Sequence, residues 1–172
     1  MDLKSKIREI RDYPREGINY KDMATLLMDE AAFRQAIQEL AVQCKHKQAG
    51  LVVCPKESSL AIGAPLAYAL GTGLVTLYNL DELPGEMYAG HYNLDFGYQA
   101  SEVIRLAIQP KIKVLVVDYL LATGGTASAA IKMVEELGGE VVGTVFLVEL
   151  TSLGGRVKLT DYDTISLVQY NY

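Results

Sequence analysis

The stretch Val114–Gly139, "VLVVDYLLATGGTASAAIKMVEELGG", decides the fold. Val114 to Leu121 is an apolar, β-branched run interrupted by one acid, Asp118, and it predicts a strand buried on both faces. The next five residues, Ala122, Thr123, Gly124, Gly125 and Thr126, predict a tight turn. The small-residue run "ASAAIKMVEELGG" predicts a helix closed by Gly138 and Gly139. A strand that enters a helix through glycines gathers backbone N–H groups and the positive end of the helix at one point. Threonine hydroxyls add donors there, so an anion needs no lysine to be held. Glycines alone would serve a plain turn equally well. The acid ahead and the small-residue helix behind point to phosphate, with Ala122, Thr123, Gly124, Gly125 and Thr126 as its ligands.

Outward from this unit the same alternation repeats. "DLKSKIREIRD" predicts a short amphipathic helix, broken by Pro14 and Gly17. "DEAAFRQAIQELAVQCKHK" sets Ala32, Phe33, Ile37, Leu40 and Ala41 on one helical face. "AGLVVCP" and "LVTLY" predict strands on either side of a helix at "SSLAIGAPLAYALG", and "EVVGTVFLVEL" and "TISLVQY" predict two more strands. Strands alternating with helices imply an α/β domain, an open and mainly parallel sheet flanked by helices. Ligands of such sheets bind beyond the carboxyl ends of the strands. Residues 79–98, rich in Gly, Tyr and acids, have no sustained period and predict a flexible loop or hairpin over the site. No repeat or linker divides the 172 residues, which form a single expected domain, 1–172.

Half of the residues are hydrophobic and 22% are charged, which excludes disorder. No apolar run has the length of a membrane span, and "MDLKSKIREIRDYPREG" lacks the apolar core of a signal peptide, so the expected location is the cytoplasm. The formal charge of -5 argues against nucleic acid as a partner. Between Glu57 and Ile104 there is no lysine or arginine, while Glu57, Asp81, Glu82, Glu86, Asp95 and Glu102 fall there. Cys44 and Cys54 lack metal spacing and are expected as buried free thiols; His46 and His91 form neither a zinc site nor a triad. Magnesium between Glu86 and Asp95 competes with the reading of a solvated loop.

"VLVVDYLLATGGTASAA" resembles the phosphoribosyl-diphosphate motif of type I phosphoribosyltransferases, in particular the adenine phosphoribosyltransferases, of which this chain looks like a divergent member. "DYPREGINYKDMATLL", "GAPLAYALG", "ELPGEMYAGHYNLDFG" and "VFLVELTSLGGRVKL" are similar to further segments in the same order. The resemblance implies transfer of ribose 5-phosphate from phosphoribosyl diphosphate to adenine, giving AMP and pyrophosphate, with Mg2+ where the reaction runs and no cofactor otherwise. It implies a homodimer and an AMP-like small-molecule partner, with neither nucleic acid nor membrane. Carried over by position, it assigns a base-binding segment 10–25 with Asn19 and Lys21, a further base contact at Leu120, ribose contacts at Asp118 and Tyr119, and a phosphate loop 118–127. Asp118 and Asp95 take the catalytic positions, and no protein metal ligand is assigned.

The departures from that pattern are specific. Tyr119 replaces the second ribose-binding acid, although an ordinary core tyrosine remains an open reading. Ser58 stands in place of an arginine. Tyr78, Asn79 and Glu82 occupy positions where basic residues enter the loop, Asp95-Phe96 replaces Glu-Tyr, and Lys21 replaces an arginine. Lys56 is the nearby cation able to substitute for what is missing. With cations removed from the expected diphosphate site, the activity is expected to be weak or lost. The alternative is a non-catalytic AMP or nucleotide sensor or regulator; a transferase of altered substrate is a third reading.

Overall fold

Residues Lys113–Leu121 form the middle strand of a five-stranded sheet in which every neighbouring pair is parallel. This computed structural model describes residues 1–77 and 106–171, and the backbone alone of 92–93 and 99–100. In chain order the strands and helices are β1 (Arg8–Ile10), β2 (Tyr20–Asp22), α1 (Ala24–Met28), α2 (Glu30–Cys44), β3 (Leu51–Cys54), α3 (Leu60–Leu70), β4 (Gly73–Thr76), β5 (Tyr92–Asn93), β6 (Gln99–Ala100), β7 (Lys113–Leu121), α4 (Gly125–Glu136), β8 (Glu140–Leu150) and β9 (Thr164–Tyr170). The main sheet has the order β4-β3-β7-β8-β9.

Period-two alternation explains why the central strands are apolar throughout. Val52 and Cys54 of β3, Leu115 and Val117 of β7, and Val145 and Leu147 of β8 meet Leu40 of α2 and Ile62 and Leu66 of α3 on one face. Leu51, Val53, Val114, Val116 and Phe146 turn the other way, against Ala127, Ala130, Ile131 and Val134 of α4. Two apolar layers therefore clamp one sheet. Cys44 and Cys54 are buried free thiols within the first layer.

The N-terminus departs from the sequence-based expectation. "DLKSKIREIRD" is a single 3-10 turn, Leu3–Lys6, followed by β1, which pairs antiparallel with β2 through Arg8↔Asp22, Glu9↔Lys21 and Ile10↔Tyr20. The helical spacing of Leu3 and Ile7 is real, and both are buried. The partner strand offers Arg8 a carboxylate, with its guanidinium 2.5 Å from Asp22, and this cross-strand pairing replaces a further helical turn. Of the expected loop or hairpin at 79–98, only a short antiparallel pairing, Tyr92↔Ala100 and Asn93↔Gln99, falls within the described residues.

The strand order fixes where a ligand can sit. From β3 the chain passes through α3 to β4 on one side, whereas β7 lies on the other side of β3. The connections after β3 and β7 thus part in opposite directions and leave a crevice between their carboxyl ends. Lys56 follows β3, and Ala122–Gly125 follow β7, so both border that crevice.

Candidate active site

The crevice holds a cavity of about 100 Å³ lined by Lys56, Asp118, Leu120, Thr123, Gly124 and Thr126, among other residues of the turn. Gly124 caps α4 in the left-handed region, φ +77, where a side chain is strained. It also lies against Gly155: a Cβ built on Gly124 would stand 2.5 Å from the Gly155 carbonyl oxygen. Glycine is therefore required twice over, by dihedral and by close approach. The first N–H groups of an α-helix have no partner within it, and α4 begins at Gly125 directly on the cavity. Thr123, Gly125 and Thr126 are exposed, so the turn presents itself to solvent as an open anion cradle.

Asp118 is only 1% exposed, yet its polar atoms are satisfied. Its Oδ1 accepts from the Ser59 hydroxyl at 2.8 Å and from the Tyr119 N–H at 2.7 Å. Its Oδ2 stands 4.0 Å from Lys56 Nζ. Burial pushes the Asp118 carboxyl above its ordinary range, against the opposing pull of Lys56, Ser59 and the Tyr119 amide. Lys56 Nζ also lies 4.9 Å from the centre of the Tyr119 ring, over its face. Its side chain is 43% exposed, so the ammonium remains open to the crevice. A second cation, Lys158, comes within 4.0 Å of where a Cβ on Gly125 would be.

Among the expected ribose contacts, Asp118 and Tyr119 part company. Strand alternation keeps Asp118 in the cradle and sends the Tyr119 ring to the opposite face of β7. There it joins Ser58, Ala61, Ile62 and Tyr20 in lining a separate cavity of about 240 Å³. The structure does not bring the Tyr119 ring into the cradle. Leu120, expected at the base, does line it. Asn19 is exposed on the segment before β2. The Lys21 ammonium pairs with Glu9 across the β1–β2 ribbon and lies 4.3 Å from the centre of the Tyr170 ring, and the residue is buried at 5% exposure. Asp95, Glu86, Tyr78, Asn79, Glu82 and Phe96 lie outside the described residues.

Among the described residues, no group of three or more His, Cys, Asp or Glu is placed to hold a metal ion. Asp118 contributes a single carboxylate, whose Oδ1 already accepts two hydrogen bonds. The described side chains do not fit a magnesium site made by protein alone. No helix among the described residues is long and apolar enough to cross a membrane.

A parallel sheet with its switch point at an acid–Gly–Gly–Thr turn is shared with solved structures of the phosphoribosyltransferase class. A family model for the phosphoribosyl transferase domain matches residues 24–171. The chain is 63% identical, over all 172 residues and the full length of the relative, to adenine phosphoribosyltransferase of Pelotomaculum thermopropionicum. Crystallised adenine phosphoribosyltransferase of Thermoanaerobacter pseudethanolicus superposes with a TM-score of 0.86 at 40% identity, covering 98% of each chain. The Saccharomyces cerevisiae enzyme, solved with adenine and an imino-altritol bisphosphate, gives 0.83 at 27% identity, covering 96% of this chain and 95% of that one. The chain belongs to the type I phosphoribosyltransferase family, on its adenine phosphoribosyltransferase branch.

Proposed function

We propose that the protein transfers the ribose 5-phosphate unit of phosphoribosyl diphosphate to adenine, forming AMP and pyrophosphate in purine salvage. The observation that carries this reading is the cradle at the β3/β7 crevice, in which Thr123–Thr126, the start of α4 and buried Asp118 line one cavity. In the proposed reaction the base nitrogen forms a bond to the anomeric carbon as the bond to the diphosphate oxygen breaks. Pyrophosphate leaves, and the N–H proton of the base passes to it or to solvent water. The Thr123–Thr126 turn holds the 5'-phosphate, Asp118 Oδ2 faces the ribose hydroxyls, and Leu120 lies under the base. The reading also includes Asp95 as a catalytic residue, a homodimer as the working assembly, and the cytoplasm as its place.

Slow turnover is part of the proposal. Ser58, Tyr78, Asn79 and Glu82 stand where the resemblance expects basic residues, and a missing cation at a transition-state phosphate costs about 2–4 kcal/mol by analogy with one lost oxyanion donor. The names of the relatives give this part no support; it rests on those residues alone. They do not favour the non-catalytic sensor reading either. The test is AMP formation from adenine and phosphoribosyl diphosphate. Turnover below about 1 per second agrees with the proposal, turnover across the usual range of roughly 1–1000 per second contradicts its slow part, and no AMP at all contradicts the transfer.

A further inference from the structure

We propose that Lys158 is a further phosphate contact of the cradle, held in place by the Arg156–Glu149 ion pair. This inference rests on the reading of the cradle as a sugar-phosphate site, and adds to it a wall from a distant part of the chain. That wall is the 3-10 turn Gly155–Leu159. Its first residue packs backbone to backbone on the cradle: a Cβ on Gly155 would stand 2.4 Å from the Ala122 carbonyl oxygen and 2.8 Å from Leu121 Cδ1. Its last, Leu159, is 1% exposed in the apolar layer that holds Leu121, Ala127 and Phe146. Between them Lys158 is exposed, and its Nζ lies 4.0 Å from the point that a Cβ on Gly125 would occupy. The Thr123 hydroxyl oxygen lies 3.8 Å from the same point. An ammonium and a hydroxyl thus flank the first residue of α4.

The start of a helix carries a partial positive charge, so a cation beside it is disfavoured unless an anion lies between the two. Among the described residues no carboxylate pairs with Lys158. A bound phosphate reconciles the two positive groups, accepting from the N–H groups of α4 on one side and from the lysine on the other. Close packing of Gly155 blocks movement of the segment inward only. Arg156 blocks movement outward: its Nε and Nη2 donate to Glu149 at 2.7 and 2.8 Å, its Nη1 to the Thr164 carbonyl at 2.9 Å and its Nη2 to the Ser166 hydroxyl at 2.9 Å. Glu149 is 2% exposed, so the pair is rooted in β8 and β9. A segment fixed at both ends confines the long lysine stem to one location. Arg156 and Glu149 are therefore positioning residues that reach the ligand only through Lys158.

The test is isothermal titration of ribose 5-phosphate, AMP and adenosine against the wild type, Lys158→Met, Lys158→Arg and Arg156→Met, at a temperature where all are folded. Lys158→Met keeps the apolar stem and removes the charge. It is expected to weaken ribose 5-phosphate and AMP about tenfold, the scale of one charge-assisted hydrogen bond, and to leave adenosine unchanged. The loss shrinks as salt is raised, because the ammonium is exposed. Lys158→Arg restores most of it. Arg156→Met weakens AMP about threefold while Lys158 is present and adds nothing in the Lys158→Met background, since the pair acts through the ammonium. If Arg156→Met alone unfolds because Glu149 is left buried and unpaired, Arg156→Met combined with Glu149→Met removes both charges and gives the same reading. An Arg156→Met protein that melts lower but binds AMP as the wild type does overturns the positioning role. Equal AMP affinity in the wild type and Lys158→Met overturns the inference and leaves the transferase reading standing. AMP binding that depends on Lys158, without adenine transfer, overturns the transferase reading and leaves this inference standing. A wild type that binds neither phosphate ligand overturns both.

Discussion

Replacing Gly124 by alanine separates a cradle shaped by its backbone from an ordinary turn. Gly124 sits at φ +77, where an L side chain costs about 1–2 kcal/mol. The added Cβ would also lie 2.5 Å from the Gly155 carbonyl oxygen and 3.3 Å from Gly155 Cα, so backbone rather than a flexible side chain must move. Gly155 cannot retreat freely, because its own Cα face is packed against Leu121, at the end of β7. Relieving the contact takes about half an ångström and adds strain of the order of 1–2 kcal/mol. Gly124→Ala is therefore expected to lose about 2–4 kcal/mol, equivalent to a melting temperature roughly 5–12 °C lower for a domain of this size. The turn is also displaced from α4, so AMP affinity falls by more than tenfold even at temperatures where the variant remains folded. Scanning calorimetry and AMP titration at 15 °C read the two effects separately. A melting temperature within 2 °C of the wild type, with unchanged AMP affinity, would refute the argument that close packing fixes the cradle.

Glu149→Gln tests the polar cluster at the ends of β8 and β9. Glu149 is 2% exposed and accepts from Arg156 Nε at 2.7 Å, Arg156 Nη2 at 2.8 Å and the Ser166 hydroxyl at 2.5 Å. Burial raises its carboxyl, but Arg156, Ser166 and Gln169 outweigh that and hold it below the ordinary value. Its contribution to stability is therefore present above the ordinary carboxylate range and is lost as pH falls through the depressed native value. The substitution should cost about 2 kcal/mol at pH 7 in urea unfolding, less than a fully buried pair because Arg156 is 44% exposed, and the deficit should shrink on acidification. Asp118 has the opposite sign: its raised carboxyl favours the protonated fold, so its contribution falls as pH rises from about 4 toward the native value. Relative to Asp118→Asn, the wild type should lose stability over that interval; a constant difference between the two would contradict the burial argument. Burial pushes the Cys44 thiol up to about 11 and Cys54 to about 12, so both should resist iodoacetamide at pH 8 in the native protein and react once it is unfolded. Rapid native alkylation of either would place it outside the core.

The sheet and the cradle were legible in the sequence because each follows from short-range rules. Val114–Leu121 alternates between two apolar layers, and Thr123–Thr126 has the glycines that its turn and close approach demand. Residues 2–12 misled because Leu3 and Ile7 share a helical spacing, while the β1–β2 pairing is fixed by contacts between Arg8 and Asp22 that no local pattern carries. Lys21 and Tyr119 show what a motif position does and does not carry. Position along the motif gives the place of the backbone; the Tyr119 direction follows from strand alternation, whereas that of Lys21 depends on contacts with Glu9 and Tyr170 that are distant in sequence. Lys158 had no local signal at all, since only the packing of Gly155 against Ala122 and Gly124 brings its loop to the start of α4.

The most direct test of a sugar-phosphate cradle at the β3/β7 crevice is a crystal structure of the protein with AMP. The account predicts the phosphate seated on the N–H groups at the start of α4, between Thr123 and Thr126, with Asp118 beside the ribose. AMP bound in the cavity behind Tyr119, or anywhere else with the Thr123–Thr126 turn empty, would contradict it.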